Sequence, residues 1–320
     1  MRSVLLVGLG KIAVGYDLSD PSVNSVLSHA RAFSEHRGFQ LVAGVDPCIE
    51  ARKRFTDYYS VQSFSEIDKA FSELSPTVVV VATPTAFHLK AIKAIFAAGR
   101  PKAIVCEKPL AYSLDHAQQI ANLCEKNNCA LYVNYFRQAE PGVAEIRKRL
   151  ASQQIMGPLK GVVWYSKGIF NSGSHFIDLL SSLMGDVVKV KVIDPGRLWQ
   201  GSDPEPDVEI TFALGRVIFL AARVEDFFHN SVEIIASNGV LRYELGGARI
   251  TWQQIEKIPQ LSGNINLSSY IETLPTDFKR AQLHVVEQLF TAMDGHAAQI
   301  STGAQAVHTQ KILEKIKESV

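Results

Sequence analysis

The sequence predicts an α/β protein in two parts: a helix-flanked parallel sheet over residues 1–135, and an α/β region with a mainly antiparallel sheet over 136–320. Three observations predict it. Short apolar runs alternate with helical spacing through the first half, as strands buried on both faces of a parallel sheet require. That alternation stops near Tyr135. Beyond it, strand-like runs separated by tight turns predominate, which is the pattern of antiparallel pairing.

Residues 3–7 (SVLLV) form a first strand that runs straight into glycines, and residues 40–46 (QLVAGVD) form a second that ends on a carboxylate. Residues 77–82, 103–106 and 130–134 repeat the apolar pattern. Between them, Leu89, Ile92 and Phe96 share one helical face in 86–98, closed by Gly99. Leu114, Ala117, Ile120 and Ala121 do the same in 114–127. The stretch 61–75 reads as a short strand followed by a short helix. A helix opens at Pro141 and carries Val143, Ile146 and Leu150. Strands are expected at 159–165, 187–193, 208–214, 216–222, 231–236, 239–244 and 249–252, with helices at 173–184, 278–293 and 304–318. Residues 195–207, rich in Gly, Asp and Pro, read as a loop, either over a site or as a surface excursion.

The 320 residues allow about two domains of ordinary size. Composition is that of a soluble globular protein, with 47% hydrophobic and 20% charged residues. The 33 basic and 32 acidic residues leave a formal charge of +1, too little to attract polyanions, so nucleic acid is not an expected partner. No apolar run approaches the ~18 residues that cross a bilayer, and the apolar N-terminus reads as a strand rather than a signal peptide. The expected compartment is the cytoplasm, with no membrane association. Cys48, Cys106, Cys124 and Cys129 make neither a CxxC pair nor a disulfide framework and read as buried thiols.

Directly after the first strand, Gly8-Leu9-Gly10-Lys11-Ile12-Ala13 fits G-x-G-x-x-[GA]. Gly8 permits the tight turn, Gly10 removes a side chain that would collide with a pyrophosphate, and Ala13 is small enough for close helix packing. Backbone N–H groups at the helix start, through Lys11 and Ile12, then face the phosphates. Asp46, at the end of the second strand, can accept hydrogen bonds from an adenosine ribose and repel a 2′-phosphate, which favours NAD while leaving NADP possible. It also reads as a capping aspartate for the helix that follows. Asp46 lies 33 residues after Ala13, a spacing explained by an insertion at 17–24, before the helix carrying Leu27, Ala30 and Phe33. Thr83, Pro84 and Thr85 end the next strand at the edge where such sheets bind ligands, with His88 either near the groove or exposed in a first helical turn.

Cys106-Glu107-Lys108-Pro109 places opposite charges at the same sheet edge. Lys108 can stabilise an alkoxide as hydride leaves its carbon, with Glu107 orienting or neutralising it; a strand-end salt bridge is the plain alternative. In the second half, Asn171, His175 and Asp178 are spaced four and three apart, so a helix starting there makes them neighbours. A neutral His175 can take a hydroxyl proton, with a nearby carboxylate fixing its tautomer; a structural histidine is the other reading. No metal site is expected, because His175 and Asp178 would need remote ligands.

With these motifs the sequence resembles the Gfo/Idh/MocA oxidoreductase family, the group of glucose-fructose oxidoreductase and inositol dehydrogenase. The parts that carry the resemblance are the glycine loop, Asp46, Ala82 to Thr85 with His88, Glu107-Lys108-Pro109, Asn134 to Arg137, and Gly173 to Asp178. It implies an N-terminal Rossmann domain, a C-terminal domain whose open sheet supports homodimers or homotetramers, and reversible oxidation of a sugar or cyclitol hydroxyl. By resemblance Lys108 is the catalytic lysine, His175 the proton-transferring histidine and Asn134 a cofactor contact, while Asn171 stands where many members have aspartate. The run from Tyr165 and Lys167 to His175 is similar to members that act on nucleotide-linked sugars in surface-polysaccharide pathways. Tyr165, Lys167 and Arg137 are the further expected substrate contacts, each with an ordinary structural alternative. Two other readings stay open: a non-redox enzyme with retained NAD (epimerase, eliminase or glycosidase type), and a catalytically weak nucleotide-responsive regulator.

Overall fold

The computed structural model describes residues 1–19, 24–257 and 265–320. The chain divides into two compact units, the first comprising Met1–Ala139 and Lys279–Gln310, the second Glu140–Phe278 and Lys311–Val320.

In chain order the first unit contains β1 (Arg2–Val7), α1 (Tyr16–Ser19), α2 (His29–Glu35), β2 (Phe39–Val45), α3 (Ile49–Tyr59), β3 (Gln62–Phe64), α4 (Ile67–Glu73), β4 (Val78–Val81), α5 (His88–Ala98), β5 (Ala103–Cys106), α6 (Leu114–Lys126) and β6 (Ala130–Val133). The strands form one sheet in the order β3-β2-β1-β4-β5-β6, every pairing parallel. Crossing back over β1 to reach β4 makes the doubly wound switch point, where strand ends diverge and leave a crevice. Continuous apolar strands follow from this position: all four residues of β4 and of β5 are buried. Helix α5 covers one face with Ala91, Ile92, Ile95 and Phe96 and stops at Gly99.

The second unit contains α7 (Pro141–Ala151), β7 (Leu159–Tyr165), α8 (Ser174–Met184), β8 (Val187–Trp199), β9 (Asp203–Phe212), β10 (Gly215–Ala221), β11 (Ser231–Ala236), β12 (Gly239–Glu244), β13 (Arg249–Lys257), β14 (Ile265–Leu267) and β15 (Glu272–Leu274). These strands build a nine-stranded sheet, antiparallel except where β10 runs parallel to β7. Burial alternates along β9 and β11, as expected where only one face packs on a core. That core joins β7, β9 and β10 to α8 through Val163, Phe176, Ile210 and Phe219.

Three expectations are corrected. A single division at 135/136 fails because α9 (Ala281–Met293) returns to the first unit, where Leu283, Val285, Val286 and Leu289 pack with Val4 and Leu6 of β1 and Val78 and Val80 of β4. The last helix, α10 (Gly303–Lys317), is divided between the units after Gln310. Residues 195–207 are not a loop: most belong to β8 and β9, joined by a short turn, with irregular register at Val192/Asp194 and Asp194/Arg197. Gly and Pro are tolerated there because bulges interrupt the ladder. Of the four cysteines, Cys106, Cys124 and Cys129 are buried, whereas Cys48 is exposed at the start of α3. The proposed insertion at 17–24 lies partly outside the described residues; its flank Asp17 is buried and accepts hydrogen bonds from the Leu27 N–H at 3.0 Å and the Ser28 N–H at 2.8 Å.

Candidate functional site

In the first unit the carboxyl ends of β1, β2, β4 and β5 open into a groove of about 1130 Å³. Gly8, Gly10, Lys11, Ile12 and Asp46 line it, as do Thr83, Pro84, Thr85, Glu107 and Lys108. Gly8 has φ +91°, and a Cβ there would sit 2.8 Å from the Ala82 carbonyl and the Thr83 nitrogen, so only glycine fits. Gly10 differs: a Cβ built on it meets nothing within 4 Å. Its missing side chain leaves open the volume that a pyrophosphate needs to reach the backbone. The chain then makes one π-helical turn, Lys11–Gly15, with Val14 and Gly15 both donating to the Gly10 carbonyl. Such turns occur often at functional sites. Ala13 does not line the groove; it is fully buried in the core, the packing task for which it is small enough.

Asp46 stands in the groove lining, and its side chain does not cap α3, whose N-cap is Cys48. Its Oδ2 accepts from the Leu9 N–H and its Oδ1 from the Cys48 N–H, each at 2.8 Å, so it ties the glycine loop to β2 and turns the chain into α3. Each oxygen keeps a further lone pair while the carboxylate lines the groove. Thr83 Oγ1, on the groove wall, is buried with no partner among the described residues. The open space at Gly10, the carboxylate at Asp46 and this unsatisfied hydroxyl all fit a dinucleotide.

His88 is neither a groove residue nor exposed. Its ring is buried between two carbonyl oxygens, Thr83 O at 2.9 Å and Leu110 O at 3.1 Å, and thereby clamps the loop after β4 to the loop after β5. Burial pushes its pKa down, against the carbonyl contacts and Glu107, which act to raise it. Asn134 also lies away from the groove lining. It donates through Nδ2 to Glu107 Oε1 at 2.6 Å and to Gln282 Oε1, on α9, at 3.3 Å. Arg137 is buried, its guanidinium 4.7 Å from the Phe136 ring centroid.

Sequence reasoning missed His29, in the first turn of α2. It is 1% exposed, and its Nε2 lies 2.8 Å from the same Glu107 Oε1. Glu107 Oε2 accepts from the Lys108 N–H at 3.3 Å. Burial opposes the charged form of Glu107, but the hydrogen bonds and charge of His29, the Asn134 amide and the Lys108 charge outweigh it and hold the carboxyl below its ordinary range. The one trace of His29 in the sequence is a polar residue in a helix that otherwise buries Ala30, Ala32 and Phe33.

In the second unit the expected residues follow β7. A second π-helical turn, Ile169–Gly173, carries Asn171 and leads into α8, which carries His175 and Asp178, both buried. Asp203 on β9 accepts from the Phe170 N–H at 3.0 Å and the Asn171 N–H at 2.9 Å. Glu205 Oε1 accepts from Lys167 N–H and Gly168 N–H, each at 3.1 Å, and holds the positive-φ turn there. The Lys167 ammonium stands 4.9 Å from the Phe228 ring centroid. Tyr165 is corrected from substrate contact to core: it is fully buried, and its hydroxyl donates to the Pro206 carbonyl at 2.6 Å. Burial and the carboxylates of Glu205, Asp207 and Asp203 push its pKa up.

Residues 2–135 match the family model for the oxidoreductase family with NAD-binding Rossmann fold, GFO_IDH_MocA. This region belongs to the Gfo/Idh/MocA oxidoreductases. Curated relatives of the chain include a D-xylose 1-dehydrogenase [NADP(+)] of Haloarcula marismortui, 32% identical over 92 residues, or 29% of this chain and 25% of that protein. An inositol 2-dehydrogenase of Rhizobium meliloti is 26% identical over 172 residues, 49% of this chain and 51% of that protein. The chain thus aligns with between a quarter and a half of the length of these two relatives. Among solved structures, the WlbA dehydrogenase of Bordetella pertussis, in complex with NADH and UDP-GlcNAcA, has a similar fold: TM-score 0.75 at 16% identity, covering 99% of this chain and 95% of that one. Among the described residues, no helix is long and apolar enough to cross a membrane, and no group of three or more His, Cys, Asp or Glu could hold a metal ion.

Proposed function

We propose that the chain is an NAD-dependent dehydrogenase that moves hydride between nicotinamide and a secondary hydroxyl of a sugar, nucleotide sugar or cyclitol. The observation that carries this reading is that Lys108 stands in the wall of the same groove that holds the glycine loop and Asp46. Bound NAD supplies the hydride acceptor. The chain supplies the rest: backbone at Gly10, Lys11 and Ile12 binds the pyrophosphate, and Asp46 takes the ribose hydroxyls. Glu66 and Asp68 also stand in the groove lining, beside Lys90, and with Asp46 they favour NAD over NADP.

The Lys108 ammonium donates to the substrate oxygen and holds the negative charge that grows on it as its proton departs. A ring nitrogen of His175 receives that proton. Asn171, with a neutral amide, orients substrate but cannot act as a base. We assign Lys167 to the sugar or its phosphates, and the exposed side of the nine-stranded sheet, with Trp164 and Ile235 on it, to a second copy of the chain. Absorbance at 340 nm with NAD and a panel of sugars, nucleotide sugars and cyclitols tests the reading. A substrate-dependent rise supports it; cofactor binding without any rise shifts weight to an enzyme that retains NAD without net redox, or to a regulator, for which the uncharged Asn171 leaves room.

A further inference from the structure

The chain departs from an ordinary helix immediately after Gly10. Val14 and Gly15 both donate to the Gly10 carbonyl, at 3.0 and 3.2 Å, and the Tyr16 N–H donates to the Lys11 carbonyl, so the turn closes on the fifth residue rather than the fourth. With α-helical spacing Tyr16 would be turned about 140° away from Lys11. The extra residue in the turn brings it round to the Lys11 side instead, and both side chains line the groove beside Gly10. The π turn therefore re-aims one side chain, an aromatic one that stays 46% exposed. Its position is fixed from the next residue on. Asp17 is fully buried and accepts from the Leu27 N–H, the Ser28 N–H and the Ser28 hydroxyl, and the Val26 N–H donates to the Lys279 carbonyl at 2.8 Å, all within the first unit. A ring carried on an anchored backbone offers contact area to a ligand at little cost in entropy.

We propose that Tyr16 is a cofactor-holding residue: its ring covers the pyrophosphate of a dinucleotide seated on Gly10, Lys11 and Ile12, keeps water from those hydrogen bonds and slows release. The inference rests on the reading of this groove as the NAD site. Backbone N–H bonds to an anion are stronger where water is kept off, and salt screens them less there. The ring acts by its bulk, and nothing is asked of the hydroxyl. Removing the ring opens the pyrophosphate to solvent, which acts on dissociation more than on association.

The test follows NADH fluorescence in stopped flow as a preformed complex is chased with excess NAD. Tyr16→Ala is expected to speed release about tenfold, to leave the association rate within about threefold, and to make NADH affinity fall more steeply from low to high salt. Tyr16→Phe, which keeps the ring, should release NADH within about twofold of wild type. If Tyr16→Ala does not fold, Tyr16→Ser carries the same measurement. A wild-type release rate in the folded variant overturns the inference, as does faster release with unaltered salt dependence, the mark of a structural loss. Release from Tyr16→Phe as fast as from Tyr16→Ala also overturns it, by placing the effect in the hydroxyl. Wild-type protein that binds no NADH removes the reading of the groove and this inference together. Full turnover in Lys108→Met breaks only the proposed chemistry and leaves the release rates at Tyr16 untouched.

Discussion

The two sheets hold their candidate residues in opposite ways. In the parallel sheet, Gly8, Asp46, Thr83 and Lys108 come from four strand ends far apart in sequence and meet at one groove, because every strand points the same way. In the nine-stranded sheet, Lys167, Asn171, His175 and Asp178 come from one continuous stretch after β7, and their support, Asp203 and Glu205, arrives from β9. The first site is assembled by topology and the second by a local turn. Changes to the first should therefore act through single atoms of the loops, and changes to the second through the segment that props the turn.

The largest effect expected is at Lys108. Lys108→Met should lower kcat by about a thousandfold or more, with NAD affinity near wild type in fluorescence titration. Turnover within about tenfold of wild type would break the assignment of chemistry to the parallel-sheet groove. Next come the two glycines. Gly8→Ala forces a Cβ against backbone at 2.8 Å from a left-handed φ and should cost about 2–3 kcal/mol in denaturant unfolding as well as cofactor binding. Gly10→Ala should leave stability within about 0.5 kcal/mol and weaken NAD binding at least about tenfold, because its Cβ enters space the protein itself does not use. Equal stability losses at both positions would remove the distinction.

Tyr165→Phe should cost about 1–2 kcal/mol through the orphaned Pro206 carbonyl, leaving KM and kcat unchanged within about twofold. A rise in KM alone would return Tyr165 to the substrate. The smallest effect is one of pH. Burial lowers the folded-state pKa of His88, so below the ordinary imidazole value of about 6.5 the unfolded chain binds the extra proton and the first unit loses stability. That contribution is complete above about pH 6.5, and its loss on acidification should disappear in His88→Asn, as thermal melts across pH 5–8 can show.

The strands of the first unit were legible because burial on both faces leaves uninterrupted apolar runs, and the groove residues because strand-end glycines, Asp46 and Glu107-Lys108 punctuate them. What stayed hidden has a common cause. Helical periodicity in α9 announces an apolar face but not which sheet it covers. His88 and Asn134 carry polar side chains at positions that read as site residues, yet each spends its hydrogen bonds inside the fold. His29 depends on a partner 78 residues away, a contact that local pattern cannot announce. Residues 195–207 looked like a loop because Gly and Pro oppose strand propensity, and bulged pairing with β9 overrode it.

The return of α9 to the first unit bears on the order in which the protein is made. Strands β1 to β6 leave the ribosome before α9, yet the face of Val4, Leu6, Val78 and Val80 waits for Leu283, Val286 and Leu289. Gln282, which holds Asn134 beside Glu107, arrives with them. Synthesis of Glu140–Phe278 intervenes. The first unit is completed only by Lys279–Gln310 and the second only by Lys311–Val320, so the closing segments of both come after the strands of both.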